Sequence, residues 1–210
     1  MPELKVCGVT DAAFACAAAQ RGVDYLGFIF AEGSPRRVTP AKAKEIRGTV
    51  ERRSTAGTGL PRFVGVFVAQ TAGEIAEIAR DVPLDVIQLH GDYGADAVSE
   101  LKAAGYEVWR LHNPVGGGED AVLLDGRRGT ESRRADWSLV AELKRAGRRV
   151  VLAGAIAAEN IAAAVATGAD VIDVNSSLET APGVKSVGRL DALLGELRRT
   201  ANASKNPSPR

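Results

Sequence analysis

Cysteine is scarce in this chain, with only Cys7 and Cys16 among 210 residues. Two thiols make neither a disulfide framework nor a metal-ligand set, so no metal is expected and a reducing cytoplasm is the default compartment. Long apolar runs are missing too: none approaches the ~18 residues of a membrane span. The opening MPELKVCGVT leads straight into a strand pattern, so neither a signal peptide, nor an anchor, nor a membrane partner is expected. Nor does one charge sign dominate. Lys and Arg total 27 against 26 Asp and Glu, a net charge of +1. A dedicated nucleic-acid binder would carry a basic excess, so that partner is excluded as well. What is present, 45% hydrophobic and 25% charged residues, suits one soluble globular domain with a real core.

Short apolar segments alternate with amphipathic ones from end to end. The expected strands are LKVCGV (4–9), YLGFIF (25–30), RFVGVFV (62–68), VIQLHG (86–91), EVWRLH (107–112), AVLLDG (121–126), VVLAGA (150–155) and VIDVNS (171–176). Between them, apolar residues recur at three- and four-residue spacing over 11–22, 39–46, 71–82, 95–105, 136–147, 158–168 and 189–199, which predicts helices. Thr39-Pro40 and Asp136-Trp137 read as helix starts, and Gly105, Gly147 and Gly168 as stops. Strands that are apolar nearly throughout, joined by helix-sized gaps, indicate parallel pairing through right-handed crossovers. An open doubly wound sheet would usually carry a glycine-rich nucleotide turn after its first strand, and Gly8-Val9-Thr10 is not one. The fold expected is therefore α/β, a single closed (β/α)₈ TIM barrel over residues 1–200. Two stretches interrupt the alternation. Residues 113–120 leave no room for a helix between strands five and six, and 49–61 read as a polar loop. The polar, proline-containing stretch 201–210 is expected to be a disordered tail.

In such a barrel the active site gathers at the carboxyl ends of the strands. That rule selects Cys7, the Arg36 loop, Gln88, His90, Asp125, Gly154 and Asn175-Ser176-Ser177. A thiolate base and a carboxylic acid on strands one and six could move two protons across one pocket without a cofactor. Loops after strands seven and eight commonly cradle phosphate, which points to Gly154-Ala155 and to Asn175, Ser176 and Ser177. Plainer readings stand beside these. A lone buried cysteine is most often a small hydrophobe, and Cys16, within the alanine-rich first helix, is core. His90 could be only a pocket wall, His112 is structural, and Ala-Gly-Ala or Ser-Ser could be simple tight turns. Arg127, Arg128, Arg133 and Arg134 read as a solvated charge run that could also attract an anion.

Taken in order, KVCGVT (5–10), GFIFAEGSPRRVTPAKAKEI (27–46), VGVFV (64–68), DVIQLHGD (85–92), LLD (123–125), DWSLV (136–140), LAGAIAAENI (152–161) and DVNSSLETAPGVK (173–185) resemble the phosphoribosylanthranilate isomerase family across nearly the whole chain. The resemblance implies an Amadori rearrangement of N-(5-phosphoribosyl)anthranilate in tryptophan biosynthesis, with no cofactor and a small phosphorylated molecule as partner. It also implies Asp125 as general acid, Cys7 as general base and Arg36 as the fork for the anthranilate carboxylate. Members of the family also shorten the link between strands five and six. A monomer or homodimer is expected. Three positions depart from the family's pattern. Its glycine-rich loop after strand six reads Gly129-Thr130-Glu131-Ser132, the aromatic residue often following SPR is Arg37, and the second glycine of LAGG is Ala155. Alanine suits that place only if it does not take positive φ. Two competitors remain: the histidine-pathway aminoaldose isomerase, which pairs two aspartates where this chain has Cys7, and a degenerate paralogue that binds a phosphorylated sugar without turnover.

Overall fold

The computed structural model describes residues 1–54, 59–114, 117–126 and 135–205. Eight parallel strands, β1 (Glu3–Val6), β2 (Tyr25–Ile29), β3 (Arg62–Phe67), β4 (Val86–Leu89), β5 (Glu107–Leu111), β6 (Ala121–Leu124), β7 (Val150–Leu152) and β8 (Val171–Val174), close into a barrel in sequence order. Closure is made by β1 on β8, with Lys5 opposite Asp173. Outside lie α1 (Ala12–Gln20), α2 (Pro40–Arg53), α3 (Ala72–Asp81), α4 (Ala95–Ala103), α5 (Leu139–Arg145), α6 (Ile161–Ala166) and α7 (Val187–Lys205).

Strand residues alternate between two buried layers, which is why the strands read as apolar throughout. Leu4, Leu26, Phe28, Phe63 and Leu89 point outward into the layer shared with the helices, whereas Tyr25, Val64, Val86, Trp109, Leu123 and Val151 fill the barrel. Trp109 is fully buried and meets Tyr25 edge-on at 5.0 Å between ring centres. At the amino-terminal end the barrel is plugged by charge. Arg149 pairs with Glu3 and, at 3.0 Å, with Glu107; Arg62 pairs with Glu107 at 2.7 Å; Tyr25 and the Trp109 indole donate to Glu3 and Glu107.

Each strand ends one to three residues earlier than its apolar run. The polar ends of those runs have left the ladder and belong to the mouth of the barrel. Thr39 caps α2 as expected, accepting from the Lys42 amide at 3.2 Å, and Gly105, Gly147 and Gly168 stand just past their helices. Helix α5 begins later than expected. Asp136 instead folds a turn, accepting from the Ser138 amide at 3.0 Å and from its hydroxyl at 2.6 Å. The polar loop expected from 49 is helical through Arg53, because Arg and Glu are good helix formers and Val50 is buried against the core. The tail expected from Ala201 is likewise part of α7 through Lys205, since Ala, Asn and Ser extend a helix that is already packed; 206–210 lie outside the described residues.

No helix joins β5 and β6 among the described residues. Ion pairs take its place: buried Arg110 on β5 meets Glu119 at 2.9 Å, Arg148 meets the same carboxylate, and Lys102 reaches Asp120 at 2.6 Å. An antiparallel pair, β9 (Glu179–Ala181) and β10 (Val184–Lys185), follows a single 3₁₀ turn at Ser176–Leu178 and was not expected.

Candidate active site

A cavity of about 410 Å³ opens at the carboxyl ends of the strands. Cys7 stands one residue past β1, His90 and Asp125 one residue past β4 and β6, and Gln88 on β4 itself. All four line the cavity, as do Arg36, Gly154, Ala155, Asn175 and Ser176. Ser177 departs from the expectation. A 3₁₀ turn points successive side chains about 120° apart; here Ser176 lines the cavity, Leu178 is buried in the core, and Ser177 lines a second cavity beside Arg189. His112 lies outside the site, and Cys16 packs in the core as read.

The two residues expected to act as acid and base occupy different surroundings. Asp125 is a quarter exposed, accepts from the Gly126 amide at 2.7 Å, and has its Oδ2 3.3 Å from His90 Nε2. Cys7 is buried among Ile29, Ala31 and Val66. Burial pushes its thiol above the ordinary value; Lys5 and Lys185 oppose that push, and Asp173 adds to it. Gln88 is buried with an amide oxygen that has no partner among the described residues, and the same holds for Asp173 Oδ1.

Arg36 does not enter the mouth as an unattached fork. Its Nε and Nη2 bind both oxygens of Glu179, at 2.7 and 2.6 Å, and Lys185 reaches Glu179 Oε1 at 2.9 Å. Burial alone would raise the Glu179 carboxyl, but hydrogen bonds from Arg36 and Lys185 and their charges hold it below the ordinary range. Lys185 also donates to Asn175, at 3.0 Å to the carbonyl and 2.7 Å to Oδ1. With Oδ1 taken, what the Asn175 side chain has left to offer a ligand is its N–H edge. With Nε occupied, Arg36 has its other edge, Nη1 and Nη2, for a second planar anion. Glu179 and Lys185 therefore set the pose of two residues that the sequence did single out. Their signal was Pro182-Gly183, a turn dipeptide between two short extended runs.

The loop after β7 holds a second surprise. Gly154 and Ala155 both have positive φ, 89° and 51°. The condition under which alanine would suit the place of a glycine is thus not met, and Ala155 is held in a left-handed conformation that costs a β-carbon roughly 1–2 kcal/mol. Asn160 holds the loop: its Nδ2 donates to the Ala155 carbonyl at 2.9 Å and its Oδ1 accepts from the Ala157 amide at 2.8 Å. Only one of the other two departures falls within the described residues. Arg37 is half exposed and 3.8 Å from Glu32, and 129–132, together with the four arginines around them, lie outside the described residues.

The family model of N-(5′-phosphoribosyl)anthranilate isomerase matches residues 4–195. The chain belongs to that family. It is 39% identical to N-(5′-phosphoribosyl)anthranilate isomerase of Myxococcus xanthus over 205 residues, 91% of this chain and 93% of the relative. The crystal structure of the Thermus thermophilus phosphoribosyl anthranilate isomerase superposes with a TM-score of 0.82 at 32% identity, covering 94% of this chain and 98% of that one. A phosphoribosyl anthranilate isomerase solved with reduced 1-(o-carboxyphenylamino)-1-deoxyribulose 5-phosphate gives 0.77 at 25% identity, covering 95% and 100%. Among the described residues no cluster of His, Cys, Asp or Glu is placed to hold a metal ion, and no helix is long and apolar enough to cross a membrane.

Proposed function

We infer that this chain is the isomerase that converts N-(5-phosphoribosyl)anthranilate into 1-(2-carboxyphenylamino)-1-deoxyribulose 5-phosphate in tryptophan biosynthesis. Membership of the family supports the reaction. The observation that carries the mechanism is that Cys7 and Asp125 line one cavity, with Arg36 on its wall and the two loops after β7 and β8 on its rim. Asp125 gives its proton to the ribose ring oxygen, the C1–O bond breaks, and the anilino nitrogen's lone pair forms the C1=N iminium. That cation acidifies the C2–H bond. Cys7, as thiolate, takes the C2 proton, the electron pair becomes the C1=C2 bond of an enolamine, and tautomerisation leaves the ketone at C2.

The anthranilate carboxylate binds the Nη1–Nη2 edge of Arg36, and its ring lies on Ile29, Val66 and Val68, the apolar part of the same wall. Phosphate binds the Gly154–Ala155 and Asn175–Ser176 loops, whose backbone can approach an anion closely. Gln88 and His90 contact the sugar. The protein acts in the cytoplasm as a monomer or homodimer. Loss of phosphoribosylanthranilate fluorescence with purified protein tests the activity. Ligand binding without fluorescence loss would leave a binding protein that does not turn over.

A further inference from the structure

Cys7 belongs to a buried charged unit whose other members have no part in the mechanism above. Lys5, on the same inward face of β1, is fully buried, and its Nζ lies 2.8 Å from Asp173 Oδ2 on β8. Closure of the barrel makes the two residues register partners, though they are 168 residues apart in sequence. The ammonium's charge also acts on Cys7, which follows it just past the end of the strand. Gly27 on β2 shows how tightly the group is packed: a Cβ there would stand 3.1 Å from Cys7 Sγ and 3.2 Å from Lys5 Nζ. Asp173 is asymmetric. Its Oδ2 is held by Lys5, whereas Oδ1 is buried without a partner among the described residues on a side chain that lines the cavity. Leaving a buried acceptor unpaired is costly, so a donor from the ligand is the natural complement.

We propose that Lys5 and Asp173 couple substrate binding to the base: a sugar hydroxyl donates to Asp173 Oδ1, and Lys5, held through Oδ2, supports the Cys7 thiolate. The inference rests on Cys7 being the base. Among the described residues, the charges facing Cys7 besides Lys5 and Asp173 are Lys185 on β10 and Arg36 after β2, both balanced by Glu179; His90 and Asp125 face Asp173 across the mouth. Burial pulls the Lys5 ammonium down, but Asp173 and then Cys7 more than restore it, so it stays charged. Asp173 holds that ammonium and opposes the thiolate. A hydroxyl on Oδ1 draws the carboxylate's charge toward the ligand and leaves Lys5 to Cys7. Lys5 is thereby a positioning residue, and Asp173 a substrate-binding one.

The test reads the thiol itself, in a Cys16→Ser background where Cys7 is the only cysteine. Iodoacetamide alkylation is followed against pH in the parent, Lys5→Met, Lys5→Arg and Asp173→Asn. Lys5→Met should raise the midpoint by about one unit or more, Asp173→Asn should lower it, and Lys5→Arg should return it toward the parent. Opposite displacements mark the coupled unit; no displacement, or the same direction in both, overturns it. If Lys5→Met fails to fold, Asp173→Asn and the parent decide through their ultraviolet thiolate absorbance with and without saturating ribose 5-phosphate. The sugar phosphate should lower the parent's midpoint and leave that of Asp173→Asn in place. A parent midpoint that ignores ribose 5-phosphate overturns the coupling. Turnover is read separately: a Cys7→Ser protein as active as the parent removes the base, whereas the alkylation midpoints judge Lys5 and Asp173.

Discussion

The two ends of this barrel differ in how fully their polar groups are partnered. At the amino-terminal end Glu3, Arg62, Glu107 and Arg149 bind one another, with Tyr25 and Trp109 supplying further hydrogen bonds. At the mouth, Asp173 and Gln88 each keep a buried oxygen without a partner among the described residues, Ala155 is held at positive φ, and a thiol is buried beside an ion pair. Each mouth feature costs stability, on the order of 1–3 kcal/mol for an unpaired buried polar group. Such costs persist where a ligand repays them. The floor closes the barrel; the mouth is built to be completed by what binds there.

The comparison breaks most sharply at Asp125. Asp125→Asn keeps the shape of the side chain but cannot deliver a proton, so turnover should fall ~10²–10⁴-fold while product-analogue binding and Tm stay near the parent's. Near-parental kcat would remove Asp125 as the acid. Cys7→Ser comes next, with an expected loss of at least ~100-fold, because a serine hydroxyl is hardly ionised at neutral pH. Cys16→Ser is its control and should touch stability alone. The pH profile follows from the direction of the Cys7 shift. A thiol raised by burial is protonated at neutral pH in the free protein, so kcat/KM should climb with pH through and beyond the ordinary thiol range. A plateau already reached at neutral pH would contradict a buried, raised thiol.

Arg36 has a smaller expected effect. An ammonium at that place can still face Glu179 but cannot offer a second edge to a planar carboxylate. Arg36→Lys should therefore raise KM about ten-fold or more, which corresponds to roughly 1.5–3 kcal/mol for a hydrogen bond to a charged group. An unchanged KM would assign the anthranilate carboxylate elsewhere. The floor supplies the counterpart. Arg149 is about a third exposed and Glu3 nearly half, so solvent screening limits what their pairing contributes. Arg149→Met should cost about 1 kcal/mol, a fall of roughly 2–4 °C in Tm for a domain of this size, with kcat unmoved. A fall in kcat would mean that the two ends are not independent.

The barrel could be read from the chain because both layers of its strands are apolar, and that pattern needs no long-range information. That Cys7, Asp125 and Arg36 share one cavity could be read because strand ends are where such a fold gathers its active site. Lys5 and Asp173 were passed over, although a charge inside LKVCGV and another inside VIDVNS break otherwise apolar runs. They become partners only through closure of β1 on β8 and a register that local sequence does not contain. Glu179 and Lys185 were hidden for a related reason. They act through a hairpin so short that its strands carry no periodicity, and their targets, Arg36 and Asn175, come from other parts of the chain. The early strand ends have a simpler cause: hydrophobicity marks burial, whereas the ladder stops where the backbone turns to form the mouth.

Ala155 carries the smallest expected effect and the most direct test of whether the mouth stores strain. Glycine at this place relieves the left-handed penalty of roughly 1–2 kcal/mol, but it also loosens the unfolded chain, at a cost of about 0.4–1 kcal/mol. The difference is a net gain of at most about 1.6 kcal/mol, so Ala155→Gly should raise Tm by no more than a few degrees. Binding should respond more clearly. Without its β-carbon the loop can settle at the backbone geometry that Gly154 and Asn160 already favour, and a phosphate can approach its amides more closely. Affinity for inorganic phosphate, read by displacement of a product analogue, should rise a few-fold with kcat unchanged. Ala155→Val gives the opposite arm, since a β-branched residue tolerates positive φ least; it should lower both Tm and phosphate affinity. If glycine lowers both and valine is tolerated, the loop does not hold a left-handed residue in solution, and the mouth is no more strained there than the floor.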